Sequence, residues 1–180
     1  TSGNPFTFSK VNTDNGVPGI RSLIQFVQDV AYLTQSGVRS YKTDVSEVNL
    51  QHNSLSEEVE DKFIELSRTN LSKSIAWHDP DKSRISFAVP EADETLPNVI
   101  FHWDTVRREW YKERYGTRSI TASMIDTDGT WYHGDEQGRI FIHSDSVHNF
   151  DGDPINAFAE TDYIDFGDRV RHKQIDISSM

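Results

Sequence analysis

The sequence predicts an all-β protein, in which short antiparallel strands build a sandwich, a barrel or a propeller. Three observations carry this. Hydrophobic residues make up only 35% of the 180 residues while charged residues stand at an ordinary 26%, so the difference lies in Ser, Thr, Asn, Asp and Gly, the residues of turns. Strand-like apolar runs recur about every ten to fifteen residues with turn signals between them. Only one stretch shows helical periodicity.

Taken in order, residues 1–19 are polar, with Gly3, Pro5, Gly16, Pro18 and Gly19, and read as loop or linker. Ile24, Phe26 and the run from Val30 to Leu33 are strand-like. Gln35-Ser36-Gly37 is a turn, and Val38 to Tyr41 resume the pattern, which predicts a hairpin. The helical stretch is SLSEEVEDKFIELSRTN, where Val59, Phe63 and Leu66 fall at i, i+4 and i+7. Ser56 is the expected N-cap, with Glu57 and Glu58 in the first turn, where the helix dipole favours acids. Ser54 with Glu57 is an alternative capping box. The helix is placed near residues 57-67, packed on a sheet through Val59 and Phe63.

Hairpin signals then return. Strands are expected at Ile75–Trp77 and Ile85–Val89 around a Pro80 turn, and at Val99–Trp103 and Trp110–Tyr111. Further strands are expected at Ile120–Ile125, Trp131–His133, Ile140–Ile142, Ile155–Tyr163 and Arg171–Ile177. DVAYLTQSGVRSY and DGTWYHGDEQGRIFIH echo each other, beginning 99 residues apart: an Asp, an aromatic three residues on, a polar turn, Gly, then an Arg-containing strand.

The net charge is −11, the wrong sign for a binder that replaces phosphate counterions with Lys and Arg. There is no Cys, so thiolate and disulfide chemistry are excluded and the redox compartment is not legible. No apolar run reaches the roughly eighteen residues of a membrane span, and no signal peptide is visible. The chain starts TSGNPF and ends IDISSM, which suggests a fragment or a processed product.

The densest collection of chemistry-bearing residues is DGTWYHGDEQGRIFIH, Asp128 to His143, with three acids and two histidines. If its turn centres on Glu136, Trp131 faces Phe141, Tyr132 faces Ile140, and Trp131, His133, Arg139, Phe141 and His143 share one face. His133 and His143 then lie four pairs apart, roughly 13 Å at about 3.3 Å per residue, too far for two ligands of one zinc. Asp135 and Glu136 are expected at the turn tip, and Gly138 in the turn. Asp126-Thr127-Asp128-Gly129 and Asp151-Gly152-Asp153 look like calcium-loop starts, but the twelfth position counted from Asp126 is the neutral Gln137, and Asp-Gly is a strong turn signal. Trp77, Trp103, Trp110 and Trp131, with Asp104, Glu109 and Glu113 nearby, allow a sugar platform or a carboxylate pair, against the plainer reading of core packing. No phosphate-binding loop, dinucleotide fingerprint, GxSxG or HExxH occurs, and nothing in the spacing picks out a Ser-His-Asp triad.

Four segments in this order carry a resemblance: DVAYLTQSGVRSY, LSEEVEDKFIEL, NVIFHWDTVRREWYKERYG, and DGTWYHGDEQGRIFIHSD followed by DGDPINAFAETDYIDFGDRVRHKQIDIS. Over about residues 20 to 178 they resemble the β-propeller part of tail hub, nozzle and packaged-DNA stabilisation proteins of short-tailed bacteriophages. The single helix in its place after the first strand pair is the more specific part of the likeness. The resemblance implies antiparallel four-stranded blades of a partial propeller: 1-19 linker, 20-148 blades, and 149-180 exit strands towards a following β domain. It implies a fragment of a longer, non-enzymatic virion protein of the tail. Such a protein forms a ring of copies below the portal and adaptor, touches other tail proteins and, transiently, passing DNA, and retains the genome until ejection. No catalytic, cofactor-binding or metal-binding residue is implied. The expected structural landmarks are Trp131, Phe141, Gly138, Trp110, Val59 and Phe63. Two alternatives stand beside this reading: a carbohydrate-binding or receptor-binding β domain, and a calcium-stabilised extracellular β domain.

Overall fold

The computed structural model describes residues 16–27, 29–41, 54–114 and 118–144, with 146–147, 149–150 and 152–154. The chain divides into two compact units, Thr1–Ser144 and Asp145–Met180. The strands expected at Ile155–Tyr163 and Arg171–Ile177 lie outside the described residues.

Among its described residues the first unit is mostly β, with one short α-helix between strands. A three-stranded antiparallel sheet contains β1 (Leu23–Phe26), β2 (Asp29–Thr34) and β3 (Gly37–Ser40), in that order. A four-stranded sheet follows in sequence order: β4 (Ile75–Asp79), β5 (Arg84–Val89), β6 (Val99–Asp104) and β7 (Glu109–Arg114). A third sheet holds β8 (Ala122–Ile125), β9 (Trp131–Gly134) and β10 (Ile140–Ile142), with β9 central. In the second unit, β11 (Asn149–Phe150) pairs with β12 (Asp153–Pro154). The opening strand of each larger sheet is a neighbour of the next: β4 lies against β1 and against β8.

The expected hairpin at residues 24–41 is β2–β3, closed by a two-residue turn between Thr34 and Gly37. A second tight turn, unread in the sequence, separates β1 from β2, with Val27 at φ 49°.

The helix is shorter than expected. A 3-10 turn at Glu57–Val59 leads into α1 (Glu60–Ile64), and the chain then leaves helical geometry. Leu66 bridges Glu91, and the Ser67 N–H donates to the Pro90 carbonyl at 3.1 Å, so pairing with the end of β5 overrides helical propensity. The core side of the pattern holds: Phe63 and Leu66 are buried and Val59 packs beside them. Ser56 precedes the helical segment but does not cap it through its side chain. Its hydroxyl instead accepts the Val38 N–H of β3 at 2.9 Å, tying the helix entry to the first sheet.

The main core lies between the first sheet, α1 and one face of the four-stranded sheet. Phe26 meets Trp103 edge-on at 6.0 Å, and Phe63 lies 4.6 Å from Phe101 and 5.7 Å from Trp110. The Trp110 indole N–H donates to the Leu55 carbonyl at 2.8 Å. Strands alternate their side chains between two faces, so β5 and β6, buried almost throughout, must be covered on both. The third sheet provides the second cover.

Candidate functional site: a histidine–tryptophan junction between two sheets

The register of β4–β7 sets Trp77, Ser86, His102 and Tyr111 side by side across four strands, on the face turned from the main core. Facing them is β9–β10. Its turn is a three-residue loop, Glu136-Gln137-Gly138, closed by the Asp135 N–H donating to the Arg139 carbonyl at 3.1 Å. Gly138, at φ 78°, takes the left-handed position that ends such loops. Loop length fixes register, and this loop centres the hairpin on Gln137 rather than Glu136.

That shift corrects the expected pairing. Phe141 faces His133, not Trp131, and Tyr132 faces Ile142, not Ile140. His143 comes opposite Trp131, whose carbonyl accepts its N–H at 2.9 Å. A shift of two leaves the shared face intact but overturns the 13 Å separation. His133 Nδ1 and His143 Nε2 are 2.7 Å apart, within one hydrogen bond. Trp131 stacks on His143 at 3.4 Å and on Trp77 of the facing sheet at 5.1 Å, while Phe141 stacks on His133 at 5.0 Å. The Arg84 guanidinium sits 5.9 Å from the Trp131 ring centre.

Asp135 is a second correction, since the sequence places it at a wet tip and the structure buries it. Its carboxylate accepts the backbone N–H groups of Gln137 (2.9 Å) and Arg139 (3.0 Å), and the Arg139 side chain at 2.7 and 2.6 Å. Burial pushes the Asp135 carboxyl up, but these hydrogen bonds and the Arg139 charge outweigh it and hold it below the usual range. Glu136 does remain exposed and accepts the Ser119 N–H and hydroxyl.

Sequence reasoning missed the polar row. Ser86 Oγ lies 2.7 Å from His102 Nδ1, and His102 Nε2 lies 3.0 Å from Glu113 Oε2. An ionised carboxylate only accepts, so Nε2 donates to Glu113 and Nδ1 accepts the Ser86 hydroxyl proton. Complete burial pushes His102 below its ordinary range, against the pull of Glu113. Desolvation pushes Glu113 up, but the His102 hydrogen bond and the nearby His143 and Arg84 bring it below its ordinary value. The signal was present: Ser86 and His102 interrupt the apolar runs ISFAV and VIFHW, and a polar group in such a strand needs a partner. The atoms are those of a nucleophile relay, yet Ser86 and His102 are each 0% exposed, so no substrate meets the hydroxyl in this conformation. The row orders the sheet and fixes a tautomer.

Desolvation also lowers both junction histidines. His133 is pushed down to about 4 and His143 to about 4, so both imidazoles are neutral near pH 7. Among the described residues, no group of three or more His, Asp or Glu side chains is arranged to hold a metal ion.

Trp77, Trp103 and Trp131 are buried, and Trp110 is partly buried and packed against the main core. Asp126 and Asp128 serve the β8–β9 turn, accepting the N–H groups of Thr127 (2.7 Å) and Thr130 (2.9 Å). Asp104 does the same for Val106 and Arg107 at 2.9 and 2.8 Å. Among the described residues, no helix is long and apolar enough to cross a membrane. A scan against models of known protein families finds no match for this chain, and a search of curated proteins finds none either.

Proposed function

We propose that the chain is a structural part of a bacteriophage tail, a few blades of the hub or nozzle that continues the DNA channel below the portal. The observation that carries this reading is the sheet arrangement. Three successive antiparallel sheets bring their opening strands β1, β4 and β8 next to one another, as the inner strands of propeller blades are arranged. The short helix follows the first of these sheets, as the resemblance implies. The Ser86–His102–Glu113 row, with Ser86 and His102 fully buried, orders a strand ladder and fits a structural wall better than a reaction centre. The acidic balance of −11 suits a surface over which DNA slides without adhering.

Electron microscopy of the assembled particle carrying a tagged copy of this chain tests the reading. A ring of tags on the tail axis below the portal is the expected result; tags off the axis, or none on the particle, would overturn it. DNA binding at low salt that fades steeply as salt is added would count against the sliding wall. The burial of three of the four tryptophans does not favour a glycan platform, and the use of Asp126 and Asp128 as turn acceptors does not favour calcium.

A further inference from the structure

The junction between the β4–β7 and β8–β10 sheets holds its histidines under a constraint that a strand ladder does not need. His133 and His143 share one hydrogen bond of 2.7 Å, so one ring donates and the other must offer a lone pair. Doubly protonated, the two would point N–H at N–H. The stack built on the pair is also the contact between sheets: His143 lies on Trp131, and Trp131 on Trp77.

We propose that this junction is an acid-released latch: protonation of the His133–His143 pair parts the β8–β10 sheet from the β4–β7 sheet while each sheet keeps its own ladder.

The surroundings decide how a proton is received. His133 faces Asp135 from its own turn, Arg118 from the segment before β8, and Glu113 from β7. Arg139 of the same hairpin lies over Phe141, the ring stacked on His133. His143 faces Glu113 of β7, Arg84 of β5, Lys82 of the β4–β5 turn and His102 of β6. Glu113 is the carboxylate common to both, and it already accepts from His102. An added proton therefore meets Asp135 and Glu113, carboxylates already engaged by Arg139 and His102, and several cations. A second also breaks the ring-to-ring hydrogen bond.

The sign follows from linkage. An unfolded imidazole takes its proton near 6.5, whereas these take theirs near 4 in the folded state. Below 6.5 the open form thus binds more protons than the closed one. The latch weakens steadily from about pH 6.5 to about 4 and changes little beyond. This inference is independent of the tail reading.

The test follows tryptophan fluorescence and far-ultraviolet circular dichroism of the intact chain from pH 7.5 to 4. The expected result is a reversible red shift of the emission, as Trp131 and Trp77 become wet, while the strand signal persists. His143→Phe keeps a ring on Trp131 but removes one of the two proton sites and the ring-to-ring hydrogen bond, so its emission change over that range should be markedly smaller. An unchanged transition in His143→Phe, or a wild-type chain with no emission change above pH 4, would overturn the proposal. Should His143→Phe not fold, histidine ring titration of the wild-type chain by NMR decides. His133 and His143 taking their protons between pH 6.5 and 4 together with the emission change supports the latch, and both titrating near 6.5 with no change in emission sinks it.

Discussion

Ser86 and His102 are direct partners in the β5–β6 ladder, and their side chains repeat that pairing with a 2.7 Å hydrogen bond in a place no water reaches. Ser86→Ala leaves the His102 Nδ1 lone pair buried without a donor, at a cost of about 1–3 kcal/mol. Replacing His102 by Phe in the same chain removes the orphaned acceptor. The double variant should therefore lose less than the sum of the two single variants. Urea unfolding of the four chains in a double-mutant cycle measures this coupling.

Gly37 and Ser56 form a second interlocked pair. Gly37 has φ 143°, and a Cβ built there would collide with the Ser56 hydroxyl that accepts the Val38 N–H. Gly37→Ala is thus strained in its backbone and displaces a buried acceptor, and should cost more than Gly138→Ala, whose φ of 78° lies near the left-handed well and whose surroundings are open. A loss of about 1 kcal/mol is expected at Gly138 and at least twice that at Gly37. Thermal melts rank the two.

Phe63 is the helix's main contribution to the core, 2% exposed and in ring contact with Phe101 and Trp110. Phe63→Ala should cost about 3–5 kcal/mol, through lost transfer energy and the cavity left behind. Ile64, its exposed neighbour, should tolerate Ile64→Ala with less than about 1 kcal/mol. Paired denaturant titrations separate the buried face from the wet one.

Asp135 gives an acid dependence in a different window from the histidines. Its folded carboxyl is held below the unfolded value of 3.8, so its stabilisation is present above that value and lost as pH falls through the folded one. Asp135→Asn keeps one oxygen for the Gln137 and Arg139 N–H groups but loses the charge facing Arg139. The variant should be less stable at pH 7, and the difference from wild type should shrink below pH 4. Melting temperatures of both chains between pH 3 and 7 check this.

The strands and the buried face of the helix were legible because period-2 and period-3.6 patterns report burial directly. Two things were not. The helix end at Ile64 depends on Leu66 and Ser67 pairing with Pro90 and Glu91, a contact over more than twenty positions that local propensity does not see. The junction depends on whether the β9–β10 turn is centred on Glu136 or on Gln137. Glu136, Gln137 and Gly138 suit either reading until the Asp135–Arg139 pairing is known. One wrong step there displaced His133 and His143 from each other by two residues. The same hairpin nonetheless kept Trp131, His133, Phe141 and His143 on one face, since an even shift preserves the alternation.

The four-stranded sheet, covered on both faces, is also the sheet with the most strands laid down in unbroken sequence order. Each of its pairings joins consecutive strands, so its ladder closes short loops and needs neither flanking sheet to begin. The first and third sheets then find a surface already laid down. During synthesis the first sheet would wait as an unpartnered ribbon until β4–β7 had cleared the ribosome. Amide exchange should accordingly be slowest in β5 and β6 and faster in β1 and β10.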